Sequence, residues 1–156
     1  MKVASADMDG FKVFGTDYDT PDGTALRDYI HVTDLADAHI RALRHIARED
    51  ESVTLNIGTT EGRSVKQVLE AARNITGQPI EAAECERRAG DPAILVADAR
   101  KANKVLNWQP QYSDIETIVK TAWDWRQKQK STNGPWLETF SPANMHTLNV
   151  GGLRAA

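Results

Sequence analysis

Residues Leu26-Arg27-Asp28-Tyr29-Ile30-His31-Val32-Thr33-Asp34-Leu35-Ala36-Asp37-Ala38-His39 decide the fold class. Leu26 to Val32 is rich in aromatic and β-branched residues, which predicts a strand. Thr33 or Asp34 can then offer a side-chain oxygen to the unpaired amides that open a helix. That helix is predicted to run to about Arg48, with Leu35, Ala38, His39, Ala42, Leu43 and Ile46 in one stripe. A strand leading directly into a capped amphipathic helix is a unit of an α/β fold.

The surrounding chain extends the pattern. Upstream, Phe11-Lys12-Val13-Phe14 alternates and predicts a short strand. Residues 15–24 are dense in turn formers and predict an ordered loop. The first ten residues are polar and aperiodic, and read as the end of something begun upstream. Downstream, Val53 to Ile57 predicts a strand stopped by Gly58. Ser64-Val65-Lys66-Gln67 fits a capping box. The helix after it places Val65, Val68, Leu69, Ala72 and Ile75 on one face and stops at Gly77 and Pro79. Pro79 to Glu86 predicts a further strand. Asp98 can cap a short helix carrying Ala102, Val105 and Leu106, which Pro110 breaks. Ser113 to Glu116 repeats the capping-box pattern before a helix with Ile115, Ile118, Val119, Ala122, Trp123 and Trp125. Periodicity ends near Lys130, so residues 1–130 form one predicted unit and 131–156 an irregular tail. The connections are mixed, unlike the regular βαβαβ of a nucleotide-binding half.

Composition narrows the function classes. A chain of 156 residues, 40% apolar and 26% charged, suits one globular core. A net charge of −3 offers no basic face for nucleic acid or membrane. The single cysteine, Cys85, cannot form an internal disulfide, and the expectation is a reduced, cytoplasmic protein. It stands between Glu84 and Glu86, which disfavour a thiolate. His31, His39, His45 and His146 show no ligand spacing and read as structural or surface residues. Trp108, Trp123 and Trp125 read as core. Asp17, Asp19 and Asp22 lack the glycine and glutamate positions of a calcium loop.

Two motifs of dinucleotide chemistry are missing. No G-x-G-x-x-G or G-x-x-G-x-x-G turn is present to bring backbone amides against a pyrophosphate. Tyr-x-x-x-Lys, which sets an ammonium beside a phenol, is also absent: Asp22, Thr33 and Glu116 stand four residues after Tyr18, Tyr29 and Tyr112. The remaining chemistry lies in Arg27-Asp28-Tyr29 and Arg87-Arg88-Ala89-Gly90-Asp91. Arginines grip phosphate through paired hydrogen bonds, and a carboxylate can accept from ribose hydroxyls. Two arrangements stay open from the residues alone. The arginines converge on one diphosphate, or Arg27 pairs with Asp28 or Asp34 while Arg87 and Arg88 are solvated.

The stretch Phe14 to His39 resembles UDP-glucose 4-epimerases of the extended short-chain dehydrogenase/reductase superfamily. Its core Arg-Asp-Tyr-Ile-His-Val-x-Asp and the preceding Phe-Gly-x-Asp-Tyr-x-Thr-x-Asp-Gly-Thr carry the likeness. Asn56-Ile57-Gly58, Ser64 to Gly77, Arg87 to Ala93, Ala97-Asp98 and Leu106-Asn107-Trp108 continue it in order. The resemblance implies the substrate-binding, carboxy-terminal part of such an enzyme: α/β, a small mixed sheet with helices, without most of the Rossmann domain. It implies that Lys12, Val13 and Phe14 lie along the uracil, that Arg27 and Arg88 bind the diphosphate with Tyr29 in the same wall, and that Asp91 stands near the ribose. Leu95 falls where a residue limits the sugar pocket, and its size implies tolerance of N-acetylated UDP-hexoses. For the complete enzyme it implies tightly bound NAD, interconversion of UDP-glucose and UDP-galactose, and a homodimer. None of these NAD-binding or catalytic residues is found in this chain. Three functions are compatible: a piece of a UDP-hexose 4-epimerase inactive alone, a non-catalytic UDP-sugar-binding module, or a purely structural or interacting fragment, such as one that completes a separately encoded NAD-binding half.

Overall fold

A computed structural model describes residues 1–49 and 52–131. The irregular tail predicted for 131–156 therefore lies, beyond Ser131, outside the described residues. The elements run β1 (Phe11–Phe14), β2 (Leu26–Arg27), α1 (Val32–Glu49), β3 (Arg63–Ser64), α2 (Val65–Thr76), β4 (Ala82–Cys85), β5 (Ile94–Leu95), α3 (Arg100–Leu106) and α4 (Ile115–Ser131). They form two small sheets. β1 pairs in parallel with β4, from Phe11 opposite Ala82 to Phe14 opposite Cys85. β2 lies between β3, antiparallel, and β5, parallel. The expected α/β architecture with mixed pairing is present.

Two apolar clusters hold these elements. One packs Leu69, Ala71 and Ala72 of α2 against Ile115 and Val119 of α4, with Ala4 and Ile80. Met1 and Val3 lean on it, so the polar start of the chain is fastened down. Asp7 accepts from Arg126 at 2.6 Å and from Lys130 at 3.2 Å on α4. The second cluster joins Ala38 of α1 to Ala99, Ala102, Leu106 and Trp108.

The segment between β2 and α1 departs from the predicted strand, because only Leu26 and Arg27 enter a ladder. Tyr29 packs on the first cluster and Ile30 on the second, so alternate side chains serve two cores. Asp28 takes the place of a neighbouring strand: its carboxylate accepts from the backbone of Thr59 at 2.9 Å and of Ala97 at 3.1 Å. The predicted caps of α1 are corrected too. Thr33 donates its amide to Nδ1 of His31, at 3.0 Å. Asp34 is buried and accepts instead from the amides of Gln111 and Tyr112, both at 2.9 Å, and from the Ser113 hydroxyl at 2.5 Å. Burial opposes charge on Asp34, but these three donors outweigh it and its pKa falls below the ordinary carboxylate value.

The other caps divide. Ser64 and Gln67 form the predicted box, with bonds of 2.9 and 3.1 Å, and Gly77 closes α2 at φ 64°. Before α4 the cap is Asp114, which accepts from the Thr117 amide at 2.8 Å, because Ser113 is committed to Asp34. Asp98 accepts from the Arg100 amide at 3.1 Å, one residue ahead of the N-cap position, Ala99.

Two predicted apolar features depart from expectation. Val53 to Ile57 alternates inner and outer residues, with Leu55 and Ile57 against the second cluster, yet it joins no ladder among the described residues. Only part of the predicted stripe of α1 packs: Ala38 is buried, while Leu43 is 68% exposed and Ile46 is also exposed. Val32 and Ile40 share that open face. Trp125 is exposed as well, so of the three expected core tryptophans Trp108 alone is deep core and Trp123 partly so. Patches of this kind bind apolar dyes and partners. Leu43→Lys is expected to cut 8-anilinonaphthalene-1-sulfonate fluorescence of the folded chain severalfold, leaving the urea midpoint within about 0.5 kcal/mol of the parent's stability. Unchanged dye binding would place the patch elsewhere.

Candidate functional site

The Arg88-Ala89-Gly90-Asp91 turn builds the centre of the site. Asp91 donates its amide to the Arg88 carbonyl at 3.2 Å, and Gly90 takes φ 84° at the third position, where only glycine sits without strain. The turn folds the Arg88 and Asp91 side chains onto each other at 2.7 Å. Arg27 reaches the other carboxylate oxygen of Asp91 from β2, at 3.7 Å. Its Nη1 also donates to the carbonyls of Leu26 and Pro92, at 2.8 and 2.9 Å. Pairing of β2 with β5 brings these segments side by side.

Arg27 thus pairs with neither Asp28 nor Asp34, since both those carboxylates are taken up elsewhere. Two guanidiniums share one carboxylate, which leaves one positive charge to be met by an anion. The guanidinium carbon of Arg88 lies 4.9 Å from the centre of the Phe14 ring, a cation–π distance. Phe14 and exposed Lys12 point to the same side of β1, as alternate strand residues do.

The other expected residues are placed differently. Val13 is 2% exposed and faces inward toward α2, beside Lys66 and Leu69, so only its backbone can face a ligand. Leu95 is 60% exposed on β5, directly opposite Arg27. Tyr29 lines a separate cleft of about 300 Å³ with Thr59, Glu61, Arg63, Gln111 and Ser113. Its phenol pKa is raised by burial, against the opposing charge of Arg27. The cleft contains none of the other expected residues.

The sequence offers Arg87 only as a member of the 87–91 cluster or as a solvated charge. Arg87 lies over the Tyr18 ring at 4.3 Å, and its Nε donates to Asp17 at 2.7 Å. No local signal announced this, because Asp17 lies 70 positions upstream.

The profile of the GDP-mannose 4,6-dehydratase family matches residues 15–121. The chain belongs to this family. Within the family it resembles UDP-glucose 4-epimerases, as its Phe14–His39 motif implies. It is 47% identical over 127 residues to that of Lacticaseibacillus casei and 51% over 121 residues to that of Rhizobium meliloti. Those matches take in 81% and 78% of this chain but 38% and 37% of the relatives. The chain therefore spans well under half the length of the curated relatives it matches. A crystal structure of UDP-glucose 4-epimerase from Stenotrophomonas maltophila, with bound NAD and formylated UDP-arabinopyranose, superposes with a TM-score of 0.79 at 38% identity. That superposition covers 83% of this chain and 38% of the other.

Among the described residues, the glycines beside the β3–α2 connection do not fit NAD. Gly58 and Gly62 are the glycines nearest a strand-to-helix connection, and both face protein. A side chain on Gly58 would run into Asp28 and Ala97, and one on Gly62 would meet Val96 at 3.0 Å. Neither leaves the open backbone cradle a pyrophosphate requires. Among the described residues no group of three acidic, histidine or cysteine side chains could hold a metal, and no helix is long and apolar enough to cross a membrane.

Proposed function

We propose that the chain supplies the UDP grip of a UDP-hexose 4-epimerase, a part that interconverts nothing by itself. The observation that carries this reading is the sharing of Asp91 by Arg27 and Arg88, with Phe14 stacked beneath Arg88. A diphosphate meets the surplus positive charge. Its oxygens replace Asp91 as partner of the guanidiniums, freeing the carboxylate to accept from a ribose hydroxyl. Phe14 then offers its ring to the base, and Lys12 and the Val13 backbone lie along the base edge. In the complete enzyme NAD supplies the hydride chemistry. The relative with bound NAD and a UDP-sugar supports both halves of the reading, and a homodimer is proposed for the whole enzyme on the strength of the family alone.

Titration calorimetry of the full chain tests it. UDP is expected to bind, UMP more weakly and uridine least, because each lost phosphate removes charge-assisted bonds. Equal affinity for UDP and uridine would overturn the reading.

Leu95 is proposed to border the sugar. In a complete enzyme carrying this part, Leu95→Tyr is expected to lower kcat/KM for UDP-N-acetylhexoses at least tenfold relative to UDP-hexoses. An unchanged ratio would remove Leu95 from the pocket.

A further inference from the structure

Arg87 and Arg88 are neighbours with opposite duties. Arg88 stands over Phe14 and holds Asp91. Arg87 turns to the other side, onto the 15–24 loop. Its Nε donates to the Asp17 carboxylate at 2.7 Å, and its Nη2 donates to the Asp17 carbonyl. Its guanidinium covers the Tyr18 ring, whose residue is 6% exposed. Gly15 makes this approach possible. It takes φ 80°, and a Cβ there would strike the Tyr18 ring and come within 2.8 Å of Arg87 Cγ. The Gly15 amide donates to the Cys85 carbonyl at 2.9 Å, extending the β1–β4 ladder to the point where the arginines begin. The Asp17 carboxyl is held below its ordinary pKa, chiefly by the Arg87 hydrogen bond.

The consequence is directional. Residues 86–90 are exposed and lie in no helix or strand. The two arginine side chains nevertheless meet different partners, Asp17 and Tyr18 for Arg87, Phe14 and Asp91 for Arg88. Clamping Arg87 through two hydrogen bonds and a ring contact fixes the backbone from which Arg88 reaches Phe14 and Asp91.

We propose that Arg87 is a positioning residue for the diphosphate grip: Asp17 and Tyr18 clamp it over Gly15, and the clamp fixes the side on which Arg88 stands. It raises affinity for the charged part of the ligand without touching that part. The inference rests on the UDP reading for its ligand but not for its geometry.

Two readouts on the full chain separate them. The first needs no ligand. The Arg88 side-chain NMR signals, assigned through Arg88→Lys, are expected to carry the ring-current shift of Phe14. Arg87→Gln and Asp17→Asn are each expected to move them toward free-arginine values. The second readout compares UDP with uridine by calorimetry. Arg87→Gln is expected to weaken UDP about tenfold, the scale of one charged hydrogen bond, and to leave uridine within twofold. Arg87→Lys keeps the charge but not the two-point clamp, and is expected to weaken UDP as Gln does. In an Arg88→Ala background, Arg87→Gln is expected to add nothing, because the two act through one contact.

Unmoved Arg88 signals in Arg87→Gln would overturn the proposal. So would additive losses in the double variant, which mean that Arg87 meets the phosphate itself, or a parallel loss of uridine, which means a structural role. A parent chain that binds no UDP, with Arg88 signals that still follow Arg87, would sink the UDP reading while the positioning stands.

Discussion

Trp108→Ala is expected to lower the unfolding free energy by about 3–5 kcal/mol, a large part of what a domain of this size possesses. The indole is fully buried among Ala38, Ala99, Ala102 and Leu106. Three of those neighbours are alanines, whose side chains cannot swing in to fill the hole. The Nε1–H also donates to the Asp34 carbonyl at 3.1 Å. Truncation thus costs packing, a hydrogen bond and the anchoring of the residue that ties α1 to 111–113. Urea denaturation followed by far-ultraviolet circular dichroism measures the effect. Trp108→Phe, which keeps most of the volume and loses the donor, is expected to cost about 1–3 kcal/mol. Equal losses for both variants would mean that the hydrogen bond outweighs the volume, and an unmoved midpoint for the alanine would refute the account.

Arg88→Ala is expected to weaken UDP by about 10–100-fold, the range for losing a charge-assisted contact together with an aromatic stack. The exposed position of Arg88 predicts little effect on folding, so affinity and stability should separate. Arg27→Ala is expected to weaken UDP comparably while also destabilising the chain, because Arg27 alone bridges to the Pro92 carbonyl. Arg88→Lys should fail to rescue, since an ammonium neither stacks flat on Phe14 nor forks onto two oxygens. Raising salt from 50 to 300 mM should weaken UDP binding in the parent chain more than in Arg88→Ala, because one cation fewer remains to be screened. Full UDP affinity in Arg88→Ala would remove the residue from the grip.

What the sequence made legible was local. Ser64 and Gln67 are three residues apart, so both halves of their capping box can be read together. Gly77 stands at the end of a clear helical stripe and closes it. Asp34 could not be read this way. It lies where a cap belongs, but its partners are 77 to 79 positions downstream and only the fold brings them near. The two-residue strands β3 and β5 are too short to leave any periodic signal. Val53 to Ile57 shows the opposite failure. Its alternation is real and is repeated in its burial, but a ladder also requires a neighbour, which no single segment can announce. At the candidate site, residue types pointed to Arg27, Arg88 and Asp91. Their pairing did not follow from spacing, because Asp28 and Asp34 were nearer in sequence to Arg27 than Asp91 was. The inward turn of Val13 follows from strand alternation, with Lys12 and Phe14 on the outer side.

The bond from Trp108 to Asp34 and two others tie together residues far apart in the chain. Trp108 meets Asp34 across 74 positions, His31 meets Thr121 across 90, and Arg126 meets Ser5 across 121. Each bond closes a loop comparable to a small domain, and the entropy of closure is spent before any of them returns enthalpy. Such a chain gains little from folding either end first. Its refolding should be slow for its helix content and all-or-none, with a rate set by the meeting of α1 with the 107–114 turn. Cleavage within 107–114 should leave two unstructured peptides, with no surviving half.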